Sequence, residues 1–62
     1  MIKDYFEKAK GDKKETYYLN WDGMQYFVSK SIVENGDLKA EMLFKSQQEK
    51  DAKSFFDKLP RK

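Results

Sequence analysis

Carboxylates are the groups in this chain from which acid–base chemistry would have to come. There are eleven Asp and Glu residues, and two pairs lie close together: Asp4 with Glu7, and Glu49 with Asp51. Two carboxyl groups held in different environments can act as general acid and general base. Lysines stand three or four positions on (Lys8, Lys10 and Lys53), which is the spacing of solvated ion pairs along a helix. The chain contains no histidine and no cysteine. The usual general base, the usual zinc ligand and any thiolate are therefore missing together. Ser46 has no histidine to activate it, and it suits a helix N-cap better than a nucleophile. Asp22-Gly23 and Gly36-Asp37 are turn signals without the ligand density of a calcium loop. The expectation is a non-catalytic chain with no cofactor and no metal.

Recognition chemistry is what remains. The stretch YYLNWDGMQYFV, residues 17–28, holds five of the ten aromatic residues around the dipeptide Asp22-Gly23. Rings of this kind can pack in a core, stack on bases or anchor a protein interface. Which role applies depends on the faces of the elements that carry them.

Residues 15–21 and 24–33 are rich in aromatic and β-branched side chains, and Asp22-Gly23 between them predicts a two-residue hairpin loop. That loop sets Trp21 opposite Met24, Leu19 opposite Tyr26 and Tyr17 opposite Val28 on one face. On the other face Asn20 meets Gln25, Tyr18 meets Phe27 and Thr16 meets Ser29. Residues 37–45, DLKAEMLFK, predict a third strand after the turn ENGD. A two-residue Asn35-Gly36 loop would put Met42 and Phe44 on the polar face. A three-residue turn with Gly36 as a bulge residue shifts the pairing by one and brings Leu38, Met42 and Phe44 inward, so the hydrophobic pattern favours the bulged turn.

Two helices are predicted at the ends. Ile2, Tyr5, Phe6 and Ala9 fall at i, i+3, i+4 and i+7, with Gly11 placed to stop the first helix. Ser46 and Glu49 form a capping-box pattern ahead of Ala52, Phe55, Phe56 and Leu59, and Pro60 ends the second helix. The expected fold is one α+β domain over residues 1–62: a three-stranded antiparallel meander with an N-terminal and a C-terminal helix on one face, in the order α-β-β-β-α. The expected core is Phe6, Leu19, Trp21, Tyr26, Val28, Ile32, Leu38, Met42, Phe44, Ala52, Phe55, Phe56 and Leu59.

That arrangement leaves one sheet face open, with Tyr18, Phe27 and Leu43 as an apolar row. Asn20, Gln25, Lys39 and Lys45 stand around it. The residues expected to contact a partner are these seven. The partner is another protein or a second copy of the chain. The alternative is nucleic acid, with the rings stacking on bases and Lys14, Lys39 and Lys45 on phosphates. Aromatic cross-strand pairs also stabilise a hairpin without any ligand, so the row admits a purely structural reading too.

Thirteen basic residues against eleven acidic ones give a net charge of +2, below the marked basic excess of a strong nucleic-acid binder. The start of the chain has no apolar h-region, and no apolar run approaches the ~18 residues needed to cross a membrane. With no cysteine, a cytoplasmic setting without membrane association is expected. The predicted α-β-β-β-α order resembles the double-stranded-RNA-binding domain, in which lysines opening the last helix contact phosphate. The corresponding stretch here, KSQQEKDAK, has Gln47, Gln48 and Glu49 in place of those lysines. From Glu15 onward, three strands followed by a helix also look like the small arm-type DNA-binding domains of phage-type integrases, which would imply reading the major groove with the sheet.

Overall fold

The computed structural model describes residues 2–60. Four strands, β1 (Ile2–Lys10), β2 (Lys13–Trp21), β3 (Tyr26–Glu34) and β4 (Asp37–Ser46), form one antiparallel sheet in chain order. One helix, α1 (Glu49–Asp57), follows them. The expected α-β-β-β-α order is thereby overturned: the first segment is a strand, and there are four strands and one helix. The likeness to the double-stranded-RNA-binding domain goes with it.

The first segment is a strand because its two adjacent rings have two adjacent partners. Neighbouring side chains on a strand point to opposite faces. Tyr5 pairs with Tyr18 on one face and Phe6 with Tyr17 on the other. The ring centroids lie 6.4 Å apart in the first pair and 4.8 Å in the second. Gly11, at φ 61, takes the first central position of the two-residue turn that closes this hairpin. A lone helix of two to three turns is marginal in water, so the pairing energy decides the outcome.

The second hairpin keeps its predicted faces but not its predicted partners. Trp21 pairs with Tyr26, Leu19 with Val28 and Tyr17 with Lys30. The loop is four residues long because the Asp22 carboxylate accepts hydrogen bonds from the backbone N–H groups of Met24 and Gln25, both at 2.8 Å. These bonds favour the charged form and hold Asp22 below the ordinary aspartate range. A shift of two residues leaves every side chain on its original face.

The third hairpin turns through Asn35 and Gly36 alone, with Glu34 opposite Asp37. Both turn residues have positive φ, 53 and 84, as a type I′ turn requires. The one-residue register shift lies further along the strands. Val28 pairs with Phe44 and Ser29 with Met42, leaving Leu43 as the extra residue of a bulge. Leu38, Ala40 and Met42 therefore lie on the face away from the helix. The assignment of Leu38 and Met42 to the core is wrong: they are 70% and 56% exposed.

The helix has the predicted stripe. Ala52 and Phe56 are fully buried, while Phe55 and Leu59 pack beside them. They close on Tyr17, Leu19 and Val28, with Phe6, Tyr26, Leu43 and Phe44 at the margin. Phe55 stacks on Phe44 at 4.7 Å, and Phe56 meets the edge of Phe6 at 5.4 Å. The capping box does not form. The N-cap is Gln48, with no side-chain cap bond, and Ser46 Oγ accepts from the Gln48 N–H at 3.0 Å. Glu49 instead accepts from the Tyr26 hydroxyl at 2.8 Å, which ties the helix start to β3. That bond also raises the Tyr26 pKa, because ionising the phenol would remove the donor.

Reach limits what the helix can cover. Nine helical residues span about 14 Å, whereas nine strand residues span about 30 Å. The far half of the helix-side face is left bare and carries mostly charged groups, with Ile32 among them. Lys30 pairs with Glu41 at 3.2 Å, and the Tyr17 hydroxyl donates to Glu15 at 3.2 Å. Burial first, and then the neighbouring Glu15, raise the Tyr17 pKa.

Candidate interaction surface

The strand registers place sixteen side chains on the face opposite the helix, in four rows across the sheet. Beginning at the Gly11 turn, the rows are Ala9-Lys14-Val33-Leu38, then Glu7-Thr16-Ser31-Ala40. Tyr5-Tyr18-Ser29-Met42 and Ile2-Asn20-Phe27-Lys45 follow. Exposure is concentrated here. Of the six large hydrophobic side chains that remain exposed among the described residues, Ile2, Tyr5, Val33, Leu38 and Met42 are on this face. The sixth, Met24, lies in the loop after β2.

Charge on the face is sparse. Glu7 and Lys14 pair with each other at 3.4 Å, both about half exposed, a contact of little energetic weight. Lys45 stands at the corner. The centre is small and polar, with Thr16, Ser29 and Ser31. Thr16 is nearly buried between its strand neighbours.

The seven expected contact residues divide. Tyr18, Phe27, Asn20 and Lys45 are on the face. Tyr18 and Phe27 are diagonal neighbours, because Tyr18 faces Ser29 while Phe27 lies between Asn20 and Lys45. Leu43 leaves the face at the bulge and packs against the core. Lys39 lies opposite Ile32, on the helix-side face, and Gln25 is in the loop after β2. The predicted row Tyr18-Phe27-Leu43 therefore does not form.

Ile2, Tyr5, Val33, Leu38 and Met42 escaped the sequence reading. A signal for Tyr5 exists: Tyr5-Phe6 and Tyr17-Tyr18 are disposed symmetrically about Gly11-Asp12. For Leu38 and Met42 the signal is Asn35-Gly36, which as a plain two-residue turn sends both to this side.

A second concavity lies at the bare end of β3 and β4. It is an open depression of about 430 Å³ lined by Lys30, Ile32, Lys39, Ala40 and Glu41. Its lining carries two lysines against one glutamate, and Lys30 is committed to Glu41. No group of three or more carboxylates able to hold a metal ion occurs among the described residues. Nor is any helix among them long and apolar enough to cross a membrane. No protein-family model matches the chain, and neither a curated protein nor a solved structure resembles it significantly.

Proposed function

We propose that this chain is a small non-catalytic protein-interaction module, a regulator, inhibitor or accessory protein, that docks through the sheet face opposite its helix. One observation carries the reading: five large apolar side chains are exposed together on that single face. Monomeric proteins rarely leave a contiguous apolar patch of more than a few hundred Å² in water. The aromatic and aliphatic side chains surround a small polar centre of Thr16, Ser29 and Ser31, and charge is kept to Glu7, Lys14 and Lys45, so the face is poor in charge, as interface cores are. Phosphate binding fits less well. Lys39 is on the other side, Lys14 is engaged by Glu7, and steep electrostatic binding needs several free cations.

Photocrosslinking tests the proposal. A benzophenone side chain replaces Tyr18 on the open face or, in a second variant, Lys39 on the helix-side face. The expected result is a protein adduct from position 18 that survives nuclease treatment, and none from position 39. Adducts to nucleic acid, or equal yields from both positions, would refute it.

A further inference from the structure

We infer that the partner on this face is a second copy of the chain, packed sheet against sheet with both helices outward. The inference rests on the docking reading above and adds the identity of the occupant.

Area comes first. Four strands about 4.8 Å apart and nine residues long at about 3.3 Å per residue present roughly 570 Å². Two copies together cover about 1,100 Å², just above the ~1,000 Å² that a specific interface must clear. The molecule measures 35 × 20 × 15 Å, so this face is one of its two broadest surfaces.

The pattern of side chains is the second argument. Take a twofold axis in the interface, parallel to the strands. It lays β1 over β4 of the second copy and β2 over β3, row upon row, and it keeps the strands aligned as stacked sheets prefer. Large groups then meet small ones: Leu38 over Ala9, Tyr18 over Ser29, Phe27 over Asn20. Tyr5 lies over Met42, a sulfur–ring contact. Lys45 falls over Ile2 at the corner, never over another lysine, and Glu7 falls over Ala40. No like charges are stacked, and the same surface serves both partners, as an isologous dimer demands.

Layering is the third argument. Among the described residues the core contains only five buried apolar residues, all on the helix side. A second sheet about 10 Å away would give the bare side the cover it lacks.

Sedimentation equilibrium of the chain, with single-cysteine crosslinking, tests this. The chain has no cysteine of its own, so an introduced one reacts alone. The expected mass at high micromolar concentration is twice 7.4 kDa. The double substitution Leu38→Lys, Met42→Lys should give monomer with an unchanged circular dichroism spectrum. Should that variant unfold, the milder Leu38→Ala, Met42→Ala is expected to weaken the dimer tenfold or more. Ser31→Cys, near the axis, should be joined to its twin by a short bismaleimide, and Lys39→Cys should not. A monomeric wild type, a dimer indifferent to the alanine pair, or equal crosslinking of both cysteines would overturn self-docking. A monomer whose position-18 crosslinker still captures another protein would overturn this inference and leave the docking reading standing.

Discussion

On the helix side of the sheet, Val28 and Phe56 are wholly removed from water. On the opposite side, Leu38 and Met42 keep 70% and 56% of their exposure. The two groups are chemically alike. Phe44 and Met42 are two positions apart on β4, yet the bulge at Leu43 puts one on each face. Coverage is set by where nine residues of helix can reach and by where one extra residue enters a strand. Apolar character follows a different boundary. Where the helix stops short on its own side, the sheet is mostly charged around Ile32; where no helix exists, large apolar side chains stand exposed around a small polar centre. On the docking reading proposed above, the side without a helix is the one a partner covers.

The sharpest way to break this contrast is to truncate one residue on each side. Phe56→Ala leaves a cavity at the centre of a small core and should cost about 3–5 kcal/mol. That is enough to unfold much of a domain this size. Met42→Ala, judged by urea unfolding of the dilute chain, should be nearly silent. Comparable losses would mean that the open face carries stability in the monomer.

A smaller effect is expected at the turn that fixes which β4 residues face outward. Gly36 has φ 84, a conformation unfavourable for L-residues. Gly36→Ala should destabilise by about 1–2 kcal/mol in the same assay. No added clash contributes, because the space around the missing methyl is open.

Tyr5→Ala removes one exposed cross-strand ring pair and should cost only about 0.2–1 kcal/mol. A loss as large as that from Phe56→Ala would show that Tyr5 belongs to a core.

The least effect concerns Asp22 in the loop after β2. Its folded-state pKa is depressed by two backbone N–H donors, Met24 first and Gln25 second. The stability it contributes is complete above the unfolded aspartate pKa of about 3.9 and is lost as pH falls through the lower, folded value. An NMR titration should therefore give Asp22 a midpoint below that of a model peptide. A normal midpoint would mean that the two donors do not hold the carboxylate.

Much of the open face was legible. Tyr18, Phe27 and Asn20 fall on it as expected because parity survives a two-residue error in loop length, whereas Lys45 does so because the bulge at Leu43 offsets the one-residue error at the Asn35-Gly36 turn. The turn at Asn35-Gly36 was legible too, but alternation in DLKAEMLFK was read as marking an inward side. Alternation identifies a face and says nothing about whether that face is covered. When both faces are apolar, polarity cannot fix the register, and Leu43, Lys39, Leu38 and Met42 all follow the error. The first strand was missed because Ile2, Tyr5, Phe6 and Ala9 satisfy the helical period, while the partners that make them a strand lie a dozen residues away.

Methionine oxidation tests the central claim most directly, because the chain carries its own control. Met24 is 81% exposed in the loop after β2, and Met42 is 56% exposed on the open face. Their peroxide oxidation rates should be compared in the dilute isolated chain and in the cells that produce it. If the open face docks, Met42 slows several-fold in the cells while Met24 keeps pace with the dilute sample. A ratio of Met42 to Met24 that is the same in both settings would contradict the account.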